Sequence, residues 1–230
     1  METTAAVRGL SCTACGESAD LDSERCPDCG DVLAVEYDPT AVASAADAVP
    51  VTEEAALSLD EGSTPRVAVP DLAAELGVAT VAVKDEGRNP TGSLADRKLA
   101  LAVAAAVEQG ADRVVTPSTG NGAQANAAYA ARAGIESKGF VPSRCPFLNK
   151  AMVNVHGGDM RVVGGRYPEA VDAFGEGDEA FVAIAPGHQF RLAGATLLAL
   201  ELVTGGTPPD AVVHPASHGE TLVGLQRGFG

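Results

Sequence analysis

Residues 83–97 read V-K-D-E-G-R-N-P-T-G-S-L-A-D-R. The pattern indicates a strand, then a turn marked by Asn89-Pro90 and Gly92, then the start of an alanine-rich helix. Ser93 can cap that helix, because a serine hydroxyl accepts hydrogen bonds from the free N–H groups of a first turn. Asp96, three residues later, completes the pattern of a capping box. The stretch therefore predicts a junction between a strand and a helix.

The same alternation continues along the chain. Short valine-rich runs alternate with amphipathic runs, which predicts an α/β fold with βαβ units and a parallel sheet covered on both faces. The predicted strands are 80–83, 113–116, 138–141, 159–163, 180–184 and 211–214. The predicted helices are 98–109, 121–133, 147–155, 168–174, 192–203 and one that begins near residue 221.

The first forty residues form a module of their own. Two C-x-x-C pairs, Cys12 with Cys15 and Cys26 with Cys29, are separated by ten residues. Each pair can present two thiolates from one tight turn, and two such turns close a tetrahedral Zn²⁺ site. The alternative is four unpaired cysteines in a loop-rich segment, but the doubled spacing favours the metal. A segment this small buries too little surface to fold alone, so the metal would supply its folding energy.

The charge pattern excludes several classes of partner. Residues 1–40 carry nine acidic and two basic residues, which is the wrong charge for a nucleic-acid-binding finger. The whole chain has 31 acidic and 16 basic residues and a net charge of -15, so neither nucleic acid nor an anionic membrane is an expected partner. Such a surface is typical of proteins that stay soluble in high salt. With no apolar run of membrane-spanning length and no signal peptide, we predict a protein of a halophilic cytoplasm.

Three loops that join a strand to a helix are the candidate ligand-binding positions, since ligands in parallel sheets bind beyond the carboxyl ends of the strands. They are the opening stretch at 83–97, the loop at 116–122 (T-P-S-T-G-N-G) and the loop at 215–221 (P-A-S-H-G-E-T). The hydroxyl and N–H groups of 116–122 face the positive end of the following helix, which suits a carboxylate or a phosphate. The loop is also ordinary strand-to-helix architecture, so by itself it leaves both interpretations open.

Four segments resemble the pyridoxal-phosphate-dependent enzymes related to threonine synthase. N-P-T-G-S-L-A-D-R at 89–97 is similar to the family's N-P-T-G-S-F-K-D-R, and 118–121 is similar to its S-T-G-N loop. G-S-T-P at 62–65 is similar to its G-N-T-P, and the ribbon is similar to the amino-terminal extension of many threonine synthases. The resemblance implies the parallel βαβ sheets of fold type II, pyridoxal phosphate as cofactor and an amino-acid-like substrate. The family reaction converts O-phosphohomoserine and water to threonine and phosphate.

The same resemblance assigns binding roles to two loops. In the family the S-T-G-N loop holds the substrate carboxylate and, through its asparagine, the pyridine hydroxyl of the cofactor. A glycine-rich G-N-G-G loop holds the cofactor phosphate. The matching residues here are Ser118, Thr119, Gly120 and Asn121 for the first loop, and Ser217, His218 and Gly219, followed by Glu220, for the second.

Several features depart from the family pattern. Ala95 stands where the family has the lysine that holds the cofactor as an imine, and a methyl group can neither form an imine nor move protons. Lys98 is the nearest substitute amine, about 4.5 Å further along the helix, but we favour a solvated helix lysine. Glu220 places a carboxylate in the phosphate-binding loop, where it opposes a phosphate. The chain ends at Gly230, before the segment that faces the pyridine nitrogen in the family.

These observations give a domain scheme and three hypotheses of function. The scheme has a zinc ribbon at 1–40, a linker at 41–65, an incomplete large domain from 66–95 and 185–230, and a small α/β domain at 96–184.

The first hypothesis of function is a threonine synthase-like enzyme whose catalysis is impaired or lost, or proceeds through Lys98 or a partner subunit. The second is a non-catalytic paralogue that binds an amino acid or associates with another copy or a full-length relative. The third is a truncated remnant. Arg191 and Glu201 are predicted to serve in packing and salt bridges.

Overall fold

The structure is a computed structural model in which residues 1–175, 181–204 and 207–229 are described. It begins with a three-stranded antiparallel sheet in the order β2-β1-β3, formed by β1 (Val7–Cys12), β2 (Ser18–Ala19) and β3 (Leu33–Tyr37). The first C-x-x-C pair lies at the end of β1, and the second lies between β2 and β3. This arrangement fits the predicted zinc ribbon.

The ribbon shares its hydrophobic core with the rest of the chain. Leu33 and Val35 of β3 are 0% and 2% exposed, and they belong to one cluster with Leu99 and Phe190. The Arg227 side chain also donates a hydrogen bond to the Val35 carbonyl at 3.3 Å. The ribbon therefore gains folding energy from burial against the α/β body, besides any energy that a metal supplies.

The predicted linker at 41–65 packs against the protein. Ala48 and Val51 are fully buried within it, and Val51 forms an isolated antiparallel bridge with Thr3. Apolar anchors of this kind hold a segment of irregular backbone in place. The domain scheme itself stays a prediction.

An antiparallel pair of strands leads into the junction at 83–97. β4 (Arg66–Ala68) pairs with β5 (Ala82–Lys84), and α1 (Pro70–Leu76) connects them. The strand predicted at 80–83 is thus present with a small shift, but it lies in this pair and not in the parallel sheet. α1 is not among the predicted helices, although Pro70 in its first turn and Gly77 at its end, with φ of 68°, are typical helix boundaries.

The later helices mostly follow the prediction. They are α2 (Ala95–Glu108), α3 (Asn121–Ala133), α4 (Phe147–Val155), α5 (Tyr167–Gly175), α6 (Gln189–Thr204) and α7 (Glu220–Phe229). The bounds predicted for α3 and α4 are confirmed, and the others differ by a few residues at their ends. No helix in the described ranges is both long and apolar enough to cross a membrane.

A four-stranded parallel sheet in the order β8-β7-β6-β9 confirms the predicted α/β class. Gly139 of β7 lies against Ala123 of α3, whereas the next residue, Phe140, meets Phe174 of α5 with 6.1 Å between ring centroids. Successive side chains of a strand point to opposite faces, so α3 and α5 cover opposite faces of the sheet. The strands are β6 (Arg113–Pro117), β7 (Glu136–Pro142), β8 (Asp159–Val163) and β9 (Val182–Ala183), the first predicted residue of β9 lying outside the described ranges.

The strand predicted at 211–214 is wrong. This segment has irregular backbone, and Val213 is 97% exposed. A strand requires a hydrogen-bonded neighbour, and no strand of the described residues pairs with 211–214. Valine-rich composition favours a strand, but a strand forms only where a neighbouring strand is available to pair with it.

Close contacts through glycine join α2, α6 and α7. A Cβ built on Gly194 of α6 overlaps the Arg97 carbonyl oxygen of α2, and one built on Gly224 of α7 overlaps Ala195 of α6. The backbones of these helices therefore approach closely only because glycine stands at the contacts.

We expect Gly194→Ala to lower the free energy of unfolding by about 1–3 kcal/mol, because the added methyl group overlaps the Arg97 carbonyl oxygen. Urea denaturation measures this change. Gly164→Ala is the matched control, since a Cβ there meets nothing within 4 Å, and it should change the free energy by less than about 0.5 kcal/mol. An equal loss in both variants would contradict the packing argument.

Candidate functional site

A groove of about 1310 Å³ opens at the carboxyl end of β6. The strand order switches at β6, because β7 and β8 are added on one side of it and β9 on the other. Ligands of open α/β sheets bind at such a switch point. Residues from all three predicted segments line the groove, namely Ser93, Ala95, Ser118, Thr119, Asn121, Ser217, His218 and Gly219. Lys98 of α2 lines it as well.

The junction at 89–97 forms a reciprocal set of hydrogen bonds. The Ser93 hydroxyl accepts from the Ala95 N–H at 3.2 Å, and Asp96 Oδ2 accepts from the Ser93 N–H at 3.4 Å. Asp96 also accepts from the Thr91 hydroxyl at 3.0 Å. Burial raises the pKa of the Asp96 carboxyl, and the hydrogen bonds from Thr91 oppose that rise. These bonds fix the first turn of α2 and turn Ala95 toward the groove.

The buried side chain of Arg97 stabilises the junction at 89–97 through ion pairs with two carboxylates. This side chain is 2% exposed, with Nε 2.7 Å from Glu86 Oε2 and Nη1 2.6 Å from Glu201 Oε1. Lys84 Nζ lies 2.9 Å from the other oxygen of Glu201. Burial raises the pKa of Glu201, but hydrogen bonds from Arg97 and Lys84 outweigh burial and hold that pKa at about 2. The salt-bridge role predicted for Glu201 is confirmed.

Lys98 is not the solvated helix lysine that the sequence favoured. Its side chain is 15% exposed, and Nζ lies 2.9 Å from Glu220 Oε2. That prediction is wrong because Glu220, 122 positions away along the chain, comes to the same end of the groove. The amine nearest to Ala95 along α2 is therefore held in an ion pair.

Glu220 has a second cationic partner. Arg191 Nε and Nη2 donate to its two carboxylate oxygens at 3.0 and 3.1 Å, which is a bidentate contact. The Gly187 N–H donates to the same carboxylate at 3.1 Å. Burial raises the pKa of Glu220, but the charges of Arg191 and Lys98 outweigh burial and hold it at about 2. The salt-bridge role predicted for Arg191 is confirmed.

The loop at 118–121 leads directly into α3. The Ser118 hydroxyl accepts from the Gly120 N–H at 3.0 Å, while Thr119 is exposed in the groove. Gly120 of the same loop is buried and has φ of 147°. A Cβ at this position would lie 3.0 Å from the side chain of Asn149, so the loop requires glycine here. The first N–H groups of α3 have no partner within the helix, which leaves donors for an anion.

The loop at 217–219 lines the same groove, with Ser217 and His218 exposed. Ser217 Oγ lies 3.2 Å from His218 Nδ1, and the His218 ring packs against Tyr167 with 4.9 Å between centroids. Gly219 has φ of 80° and allows the turn into α7. The structure thus brings the two predicted binding loops to one groove.

A second pocket of about 650 Å³ adjoins the groove and was not foreseen from the sequence. Thr119, Asn121 and Tyr167 line both cavities, and Arg144 and Arg166 lie only in the second. The positions of Arg144 and Arg166 in the sequence could have indicated this pocket. Each follows a strand of the parallel sheet, β7 and β8 respectively, at the edge where ligands bind.

The four ribbon cysteines converge as predicted. Cys12 Sγ lies 3.5 Å from Cys29 Sγ, Cys15 Sγ lies 3.6 Å from Cys26 Sγ, and all four sulfurs lie within 4.8 Å of one another. A tetrahedral Zn²⁺ with bonds of about 2.3 Å separates its sulfur ligands by about 3.8 Å. The donor set and its spacing therefore fit zinc.

We expect purified protein to carry one Zn²⁺ per chain, and Cys26→Ser to lose it together with part of the thermal stability, because structural zinc supplies folding energy. Metal analysis and melting temperature measure the two effects. Cys145→Ser is the control, since Cys145 is buried outside the cluster. Zinc retained in Cys26→Ser at the wild-type ratio would contradict the assignment.

The two depressed carboxyl pKa values predict sensitivity to acid. A carboxylate whose folded pKa lies below its unfolded value of about 4.3 stabilises the fold above that value, and the contribution is lost as the pH falls toward the folded pKa. Glu201 and Glu220, each with a pKa of about 2, should thus make the free energy of unfolding fall between about pH 5 and pH 2.

Denaturation with urea across this pH range measures the fall. Glu201→Gln should be less stable at pH 7 and show a smaller fall, whereas Glu136→Gln, whose side chain is 67% exposed, should follow the wild type. A wild-type free energy that is flat from pH 5 to pH 2 would count against the two ion clusters.

Comparison with known proteins places these features in a family. A family model described as "Pyridoxal-phosphate dependent enzyme" matches residues 57–230. Threonine synthase of Halalkalibacterium halodurans is 34% identical over 187 residues, which cover 79% of this chain and 52% of the relative. Threonine synthase of Methanocaldococcus jannaschii is 29% identical over 242 residues, covering 95% of this chain and 60% of the relative.

Solved structures support the fold. Diaminopropionate ammonia lyase of Escherichia coli, in complex with an aminoacrylate-PLP azomethine reaction intermediate, has a TM-score of 0.68 at 20% identity, covering 74% of this chain and 51% of that one. A fungal L-serine ammonia-lyase from Rhizomucor miehei has a TM-score of 0.66 at 23% identity, covering 73% and 55%. The chain spans about half the length of the curated relatives it matches. By its sequence and its fold, this chain belongs to the family of pyridoxal-phosphate-dependent enzymes and is similar to threonine synthases.

Proposed function

We propose that this chain is a threonine synthase-like protein that has lost the imine chemistry of its family and binds an amino-acid-like ligand through its carboxylate. The observation that carries the proposal is the pairing of Lys98 with Glu220 at 2.9 Å beside Ala95. The position of the family lysine holds a methyl group, and the nearest amine along the helix is already engaged.

The residues of the groove do not fit pyridoxal phosphate. When bound in this family, the cofactor supplies an electron sink for amino-acid chemistry, and it requires an amine that attacks its aldehyde. Besides Lys98, the only lysine that lines the groove in the described part of the chain is Lys84, whose Nζ lies 2.9 Å from Glu201. A protonated amine held by a carboxylate is a poor nucleophile, so neither lysine replaces the missing one. No catalytic step through the cofactor is derived for this chain.

The loop at 217–220 does not suit the phosphate group of the cofactor either. Family resemblance places a phosphate at the loop that opens α7, where four consecutive residues would offer backbone N–H groups. Here Ser217 and His218 carry side chains, and Glu220 brings a buried negative charge to the same helix end. The Glu220 carboxylate already occupies the cationic donors Arg191 and Lys98, and close backbone approach is restricted where glycine is absent.

The carboxylate-binding side retains its features. Ser118, Thr119 and Asn121 stand at the positive end of α3, and Thr119 and Asn121 are exposed to solvent. A helix of 13 residues with free N–H groups in its first turn favours a negative charge at this end. The proposed ligand is therefore an amino acid or an amino-acid derivative, whose carboxylate lies on this loop.

A second candidate function is an enzyme that uses Lys98 as its imine-forming residue. One observation favours it, namely that Lys98 lines the same groove as Ala95 and the 118–121 loop. This candidate requires Glu220 to release the amine.

We expect no imine absorbance band when pyridoxal phosphate is added to the wild-type protein, because both lysines that line the groove among the described residues, Lys84 and Lys98, are held in ion pairs. We also expect O-phosphohomoserine or threonine to raise the melting temperature, since a ligand that binds only the folded state stabilises it. Thr119→Val with Asn121→Ala should abolish that rise, whereas Lys150→Ala, which removes an amine outside the groove, should leave both results unchanged.

Lys98→Ala separates the two candidates. An imine band in the wild type that disappears in Lys98→Ala would favour the enzyme and overturn the proposal. An absent band together with no stabilisation by either amino acid would reject amino-acid binding.

A further inference from the structure

The Glu220 carboxylate is surrounded by donors on both of its oxygens. Oε1 accepts from Arg191 Nε at 3.0 Å and from the Gly187 N–H at 3.1 Å. Oε2 accepts from Arg191 Nη2 at 3.1 Å and from Lys98 Nζ at 2.9 Å. The three side chains are 7% (Glu220), 8% (Arg191) and 15% (Lys98) exposed. A fully coordinated, buried carboxylate of this kind has the surroundings of a bound anion.

The donors have the composition of an oxyanion site. A planar guanidinium in bidentate contact, an ammonium and a backbone N–H are the groups that hold phosphates and carboxylates in proteins. They come from separate parts of the chain, with Lys98 on α2, Arg191 on α6 and Gly187 in the loop before α6. Glu220 is the first residue of α7, so the positive end of that ten-residue helix adds to the same field.

The cluster of Lys98, Arg191 and Glu220 contains more positive than negative charge. Two cations face one carboxylate, so the cluster keeps an excess of positive charge that a phosphate carrying two negative charges would match better. A phosphate cannot join the cluster as it stands, because Glu220 already occupies the donors and repels a second anion at contact distance.

We propose that Glu220 is a tethered ligand, whose carboxylate fills an anion site formed by Lys98, Arg191 and the Gly187 N–H, and that its removal opens this site to a phosphate group. The inference deepens the proposed function and rests on it in one respect, since it gives the reason why the groove does not accept the phosphate of the family cofactor. The ligand class of the opened site is inorganic phosphate or a phosphate monoester.

The test is a thermal titration of Glu220→Ala and wild type with inorganic phosphate, against sodium chloride at equal ionic strength. Glu220→Ala should melt about 5–10 °C higher at a phosphate concentration near one hundred times the dissociation constant, and this rise should exceed any rise in the wild type, where the free N–H groups of α3 remain as anion donors. A second arm uses pyridoxine phosphate, a monoester that lacks the aldehyde, and it distinguishes a monoester from free phosphate as the better ligand without any imine.

Two variants control for the loss of a carboxylate. Glu136→Ala also frees an arginine, because Glu136 Oε2 lies 3.3 Å from Arg113 Nε at the surface, and it should gain no phosphate effect. The double variant Glu220→Ala with Lys98→Met should lose most of the phosphate effect, since the site then lacks one of its two cations.

Each outcome bears on the proposal. An equal phosphate effect in wild type and Glu220→Ala would overturn it, as would no effect in Glu220→Ala. If Glu220→Ala and the nearly isosteric Glu220→Gln fail to fold in chloride, folding rescued by phosphate supports the proposal and folding absent in both salts overturns it. The titration contains neither an amino acid nor an aldehyde, so its result is independent of the experiment on the proposed function.

Discussion

The buried guanidinium of Arg97 is the constraint on which the surrounding structure depends. It joins four segments, because it contacts Glu86 after β5, Glu201 on α6 and, at 3.2 Å, the Thr64 hydroxyl before β4. Removing a charged group from water is expensive, so a guanidinium that is 2% exposed requires both carboxylates and a full set of acceptors. These acceptors define where α2 begins relative to β5 and α6. Loss of one carboxylate would leave an uncompensated buried charge, at a cost of about 3–5 kcal/mol.

The chemistry of the groove follows from this anchor. With α2 held in place, Ala95 and Lys98 both border the groove, one turn apart. The scaffold that aims a side chain at position 95 is intact, but the side chain has no amine. Lys98 instead joins Arg191 on the carboxylate of Glu220, so a second ion cluster closes the end of the groove where family resemblance places a phosphate. The fold of the family is thus retained, while two internal carboxylates, Glu201 and Glu220, hold the amines that face the groove.

The ribbon shares one hydrophobic cluster with the α/β body. Its cysteines converge as a local motif, but Leu33 and Val35 pack with Leu99 and Phe190 of the α/β body. The ribbon and α2 therefore bury part of the same apolar surface. The expectation that the metal alone would fold the ribbon was incomplete, because the size of an isolated segment says nothing about the surface that it later covers.

Local interactions determined what the sequence revealed by itself. The periods of α3 and α4, the Ser93–Asp96 bonds and the doubled C-x-x-C spacing all depend on residues a few positions apart, and each appears in the structure as predicted. Long-range contacts decided the rest. The 211–214 segment has strand composition but no partner strand among the described residues, and Lys98 has helix-surface spacing but meets a carboxylate 122 positions away. Sequence periodicity indicates whether a segment prefers helix or strand. The partner of a charged residue depends instead on how the segments pack, so only the tertiary structure brings Glu220 to Lys98.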